Sequence, residues 1–249
     1  MRPVAAISGV LALLAVAVVV VATGLAQPAR QAPLPPAPAP LPVPATPPPA
    51  AAAPAPRPVP PAVARPAPVA PTGPSRAIGR PWAGRLVNGV QLPEVTADWL
   101  TWDPVLKQIP NRPERRWGTA KLLRTLRAVL AGYHRAHPHA LQVLIGDLSR
   151  PQGGIFDNRF GGLGHGSHQN GLDADVYYPR RDGRLRAANR PDQVERALAQ
   201  DLVDRFVAAG AQFVFVGTRV GLRGPRRVVQ VIPHHNDHMH VRILPPRGT

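Results

Sequence analysis

The chain contains no cysteine, and that absence removes disulfide staples, thiolate metal sites, a lipoprotein anchor and cysteine peptidases together. Lysine is nearly absent as well, with Lys107 and Lys121 the only two. No Ser-x-x-Lys occurs, so the acyl-serine chemistry of β-lactam targets has no nucleophile here. His-Glu-x-x-His is also missing, which excludes a helix-borne site of the thermolysin kind. Acidic residues number 14 against 30 Lys and Arg, giving a formal charge of +16. Such a surface suits an anionic partner, either cell-wall polymer or a membrane surface. The basic residues form no stripe interleaved with aromatics, so nucleic acid is not expected as a partner.

What is present begins with an apolar run, residues 4–26, behind a single arginine at position 2. It is long enough to span a bilayer, which takes about 20 residues, while the small residues of Gly24–Gln27 leave room for cleavage after Ala26. Residues 1–27 are therefore read as a membrane anchor or signal peptide, and the chain as exported to the periplasm, with inner-membrane association through that segment. From Pro28 to Pro74, 20 of 47 residues are proline. Proline offers no amide donor and fixes φ, so residues 28–76 are read as a disordered Pro/Ala-rich linker in extended polyproline form. At about 3.1 Å per residue it reaches on the order of 100 Å, a passive spacer. Residues 77–249 remain for one folded domain.

Within that domain, Leu122, Leu126, Val129, Leu130 and Tyr133 recur at helical spacing behind Thr119, a candidate cap, and Pro138 ends the run. A second helix is predicted from Pro191 to Ala209, stopped by Gly210. Strands are predicted over LQVLIGDL (141–148), DADVYY (173–178), QFVFVG (from Gln212), VVQVI (from Val228) and HMHVRI (from His238). This mixture predicts an α+β fold, a small, mostly antiparallel sheet with flanking helices. Trp99 and Trp102 are read as packing residues.

Six of the nine histidines fall in two short stretches, HGSHQNGLDADV (165–176) and HHNDHMHV (234–241). His238 and His240 are two apart on a predicted strand and leave the same face; so do Asp173 and Asp175. A turn containing Gly171 can fold His168 back beside them. Taken singly, His134, His137 and His234 read as solvated surface residues, and the Asp173/Asp175 pair as a turn cap or salt bridge. Together, clustered imidazole and carboxylate form the usual cysteine-free donor set for zinc, which needs about three protein ligands and an open position to activate water.

SHQNGLDAD (167–175) resembles the His-x6-Asp zinc motif shared by D-Ala-D-Ala metallopeptidases, lysostaphin-type enzymes and the hedgehog domain. VLIGDLSRPQGG from Val143, GHGSHQNGLDADV from Gly164, HNDHMHVRI from His235 and RRWG ending at Gly118 together resemble the penicillin-insensitive murein endopeptidases. The resemblance implies one zinc ion held by His168, Asp175 and His240, with His238 as catalytic histidine and His235 beside it. It leaves Asp173 and His165 as orienting partners of the ligands, or His165 as a further ligand. It implies hydrolysis of D-alanyl cross-links in peptidoglycan, insensitive to penicillin. Some relatives carry an Asp-x-x-His for a second zinc; here Leu185 stands three residues after Asp182, so one ion is expected. Carboxypeptidase and dipeptidase relatives place a Glu three residues before the last zinc histidine; here it is Asp237, within the endopeptidase pattern His-x-His. D-Ala-D-Ala carboxypeptidase or dipeptidase activity, and a non-catalytic zinc-containing wall-binding module, are the competing readings.

Overall fold

Local signals build the first helix where spacing predicts it. In the computed structural model, which describes residues 73–157 and 165–245, α1 spans Ala120–Ala136. Leu122, Leu126, Val129, Leu130 and Tyr133 are all buried along one face. Thr119 caps it: its Oγ1 accepts the Leu122 N–H at 3.2 Å, and its own N–H reaches the Gly171 carbonyl at 2.9 Å. Gly171 sits at φ +76°, and a Cβ there would lie 2.7 Å from Leu86 Cδ1, so only glycine fits this crossing. Thr119→Ala is expected to cost about 1 kcal/mol, read as a lowered urea midpoint with unchanged slope.

The second helix differs from expectation. Pro191–Gln193 form one 3-10 turn, and α2 starts only at Arg196, running to Ala208. Between them the chain is committed elsewhere: Val194 bridges Arg180, the Arg181 N–H takes the Gln193 carbonyl at 2.9 Å, and the Glu195 N–H takes the Pro179 carbonyl at 2.8 Å. Those sheet-like bonds hold Val194 extended at ψ 129° and break what the apolar spacing joins. Gly210 does end the segment, at φ +76°.

Among the described residues, ten strands complete the fold. β1 (Arg76–Arg80) and β2 (Ala83–Val87) form a hairpin, and β3 (Val90–Gln91) pairs β5 (Trp117–Gly118). The main sheet takes β4 (Trp99–Thr101), β6 (Val143–Ile145), β7 (Asp173–Tyr177), β8 (Ala211–Gly217), β9 (Val229–Ile232) and β10 (His238–Ile243) in the order β4-β6-β7-β10-β8-β9. Its three inner pairings are antiparallel and the two outer ones parallel. The α+β expectation stands. The five strands from β1 to β5 were not predicted. Trp99 and Trp102 are buried, as packing residues should be.

Strand alternation divides the sheet into two faces. Ala174 and Val176 of β7, Val214 and Val216 of β8, and Met239, Val241 and Ile243 of β10 join the buried residues of both helices in one apolar cluster. The opposite face therefore receives Asp173, Asp175, Tyr177, Phe213, Phe215, His238, His240 and Arg242. Residues 1–27, read above as a membrane anchor or signal peptide, and nearly all of the segment read as a linker (28–72) lie outside the described residues. Among the described residues no helix is long and apolar enough to cross a membrane.

Candidate metal centre

β7 and β10 are the two middle strands, paired so that His238 faces Tyr177, His240 faces Asp175 and Arg242 faces Asp173. His168 joins this row from the preceding loop. Its backbone is left-handed (φ +67°), a conformation costing a non-glycine residue roughly 1–3 kcal/mol. Its N–H, donated to Asp173 Oδ2 at 3.0 Å, helps hold it there.

Three donor atoms converge. His168 Nε2 lies 3.1 Å from His240 Nδ1 and 3.2 Å from Asp175 Oδ1, and His240 Nδ1 lies 3.3 Å from the same oxygen. Tetrahedral zinc with bonds of about 2.0–2.1 Å spaces its ligands about 3.3 Å apart, so the geometry fits that ion. His238 Nε2 stands slightly further away, 3.7 Å from Asp175 Oδ1.

Each imidazole is pinned through its other nitrogen. His168 Nδ1 donates to the Leu148 carbonyl at 2.6 Å, and His235 Nδ1 to the Pro233 carbonyl at 2.6 Å. His238 Nδ1 meets Asp237 Oδ1 at 2.8 Å, and His165 Nε2 meets Asp147 Oδ2 at 2.7 Å. His240 Nε2 is 3.1 Å from Asp173 Oδ1, a contact whose angle is too poor for a hydrogen bond but which still turns Nδ1 inward. Such partners set the tautomer and aim a lone pair at the centre. Asp175 Oδ1 is thereby left buried with no donor, an acceptor facing acceptors, and only a cation or a shared proton relieves it.

The titration behaviour shows the same demand for positive charge. Burial alone would lower His240, but the Asp173 carboxylate, and after it Asp175, push it up to about 9. Burial would raise Asp175, yet His168 and His238 hold it well below the usual carboxylate range. His168 itself is lowered by burial, which keeps it a neutral donor.

Sequence reasoning missed the support for His165. Asp147, fully buried at the end of the β6 segment, accepts from Arg115 Nε at 2.7 Å and Asn111 Nδ2 at 3.0 Å as well as holding His165. The signal was a carboxylate inside the apolar run VLIGDL, with the adjacent pair Arg115 and Arg116 to answer it. His165 Nδ1 is left facing Asp175 Oδ2 at 4.0 Å, and donor atoms of His165, His168 and Asp175 also gather within 4.8 Å. His165 is thus positioned beside the three-atom cluster rather than within its 3.1–3.3 Å spacing.

Of the other expected residues, Asp173 is locked by Arg242 Nε at 2.6 Å, and the His235 ring centre is 5.0 Å from that of His238. His137 pairs with Asp201 at 3.0 Å, away from the site. His134 bonds the Leu130 carbonyl at 3.2 Å, whereas His234 lies on the rim. The cluster opens into a cleft of about 400 Å³ lined by His165, His168, His234, His235, His238 and His240 with Pro104, Lys107, Tyr177, Phe215 and Ile232. Such a cleft can admit an extended peptide to a polarising cation flanked by proton carriers.

Residues 77–213 match the model of a family described as penicillin-insensitive murein endopeptidase, a match over more than half of the chain that ends before β10. A penicillin-insensitive murein endopeptidase of Salmonella arizonae is 45% identical over 73 residues, 29% of this chain and 23% of that protein. Proteins of the same name from Yersinia pestis bv. Antiqua and Yersinia pseudotuberculosis are 35% identical over 112 residues, 44% of this chain and 34% of theirs. The matched stretches thus span about a third or less of these relatives. With its match running through Asp147, the His168 loop and β7, the chain belongs to the penicillin-insensitive murein endopeptidase family.

Proposed function

We propose that the protein is a zinc-dependent endopeptidase that hydrolyses D-alanyl cross-links of peptidoglycan in the periplasm. The supporting observation is the convergence of His168 Nε2, Asp175 Oδ1 and His240 Nδ1 within 3.3 Å at the floor of an open cleft. In this reading these three residues hold one zinc ion, with Leu148 and Asp173 fixing the imidazoles. When bound, the ion would polarise the scissile carbonyl and acidify the attacking water.

The rest is work for the chain's own groups. His238 Nε2 takes a proton from the attacking water, its ring held by Asp237. As the water oxygen joins the carbonyl carbon and the C–N bond breaks, that proton passes to the leaving amine. His235, ring against ring with His238 and with Nδ1 donated to the Pro233 carbonyl, presents its Nε2 lone pair beside His238 and shares the proton traffic. No acyl-serine forms, so penicillin has nothing to trap. Asp237, engaged with His238, is not free to serve as the base that carboxypeptidase relatives draw from this position. That favours internal cross-links over free termini. The export segment and the linker (28–76) would hold the domain (77–249) in reach of the wall.

His238→Ala in the full-length protein should leave zinc content intact and reduce cross-link cleavage about 10²–10⁴-fold, followed by mass spectrometry of digested sacculi. A wall-binding module would lose nothing measurable in that assay. Wild-type protein that takes up no zinc and releases no muropeptides from sacculi would sink the proposal.

A further inference from the structure

The proposed reaction leaves one basic side chain of the cleft without a task. Lys107 lines the same cleft as the histidines and, among the described residues, is the only Lys or Arg that does. No carboxylate pairs with it among the described residues. The turn that presents it is held from beneath. Asp103, fully buried, accepts the N–H groups of Val105 at 2.8 Å and Leu106 at 2.9 Å, and its other oxygen takes Arg112 Nε at 2.5 Å. The turn closes through Lys107 N–H to the Asp103 carbonyl at 2.9 Å and Asp103 N–H to the Gln108 carbonyl at 2.8 Å. Lys107 itself sits at φ +56°, a region where a lysine is uncommon and that tends to be kept at functional positions.

Charge around the cleft points the same way. Three buried acids are each held by an arginine: Asp173 by Arg242, Asp147 by Arg115, and Asp103 by Arg112. Asp175 and Asp237 face the cleft histidines instead, Asp175 beside His168 and His240 and Asp237 beside His238. Lys107 is thus a cation on the cleft wall with no carboxylate against it among the described residues, suited to one negative group on the substrate. The chemistry of the cross-link supplies it. When a diamino diacid such as diaminopimelate is acylated on one amine, the carbon bearing that nitrogen still carries a free carboxylate, immediately beside the scissile bond.

Resting on the murein endopeptidase reading above, we propose that Lys107 is a specificity-determining residue that binds the free carboxylate flanking the scissile amide. The enzyme thereby selects diaminopimelate cross-links over those whose carboxylate is amidated. The test uses zinc-loaded full-length protein and two purified cross-linked muropeptide dimers, one with that carboxylate free and one with it amidated. Wild type should show about a tenfold lower KM for the free acid with kcat within about twofold. Lys107→Ala should give the two dimers equal KM values, and Lys107→Arg should restore the preference. Lys107→Asn, which tolerates the left-handed backbone, should behave as Lys107→Ala does and so separates charge from turn geometry. Equal KM values for both dimers in the wild type, or a Lys107→Ala loss confined to kcat, would overturn the assignment. If wild type cleaves neither dimer, the endopeptidase reading fails first and this assignment falls with it.

Discussion

Replacing His240 by alanine is expected to strip the metal and lower cross-link cleavage by about a thousandfold or more. A metal ion supplies several kcal/mol of charge stabilisation to such a transition state, and about 4 kcal/mol is a thousandfold in rate. His240 holds one corner of the donor triangle, and the neighbouring imidazoles stand farther out, His238 Nε2 at 3.7 Å from Asp175 Oδ1 and His165 Nδ1 at 4.0 Å from Asp175 Oδ2. The fold should persist, because Arg242 keeps its bond to Asp173 and β10 keeps both of its neighbours. Zinc content and muropeptide release, measured on the same sample as circular dichroism, make the check. His240→Ala protein that retained one zinc and wild-type cleavage would refute the ligand assignment.

Arg115→Ala should cause the largest loss of stability, about 3–5 kcal/mol, because it strands a buried carboxylate. Arg115 and Asp147 are both fully buried, joined through Nε at 2.7 Å and again through Nη2 to Oδ2. The guanidinium also lies over the Phe156 ring at 4.9 Å. At roughly 2–4 °C per kcal/mol for a domain of this size, the melting temperature should fall by about 10 °C. Converting both partners, Arg115→Met with Asp147→Leu, should cost much less than the single change, since no charge is left uncompensated. A thermal scan of wild type, single and double variants decides it; a single variant as stable as the wild type would show the pair to be idle.

The parts of the fold that could be read from the chain are those whose period is local. α1 announces itself through Leu122, Leu126 and Tyr133 with Thr119 ahead of them, and β10 through Met239 and Val241 alternating with His238 and His240. β1 to β5 could not be read because they run from two to five residues and several depend on distant partners, as where Arg85 bridges Gly153. The late start of α2 hides in bonds to Pro179–Arg181 that no side-chain pattern reveals. The site divides in the same way. Two-residue spacing exposed the row on β7 and β10, and a glycine turn exposed His168. The carbonyls of Leu148 and Pro233, which fix two of the rings, are backbone groups common to every residue type. Asp147 became legible only once the fold brought Asn111, Arg115 and His165 around it.

The position of β7 and β10 within the sheet has a dynamic consequence. Sheets open from their edges, and here β4 and β9 are the edge strands, each paired with one parallel strand of the sheet. Asp175 and His240 sit on strands flanked on both sides, within the unit that opens last, so excursions that unzip an edge leave the donor triangle assembled. Loss of the ion by local fluctuation is thereby separated from breathing of the domain's margins. In a domain without disulfides, such a site would keep a bound ion between folding and final global unfolding.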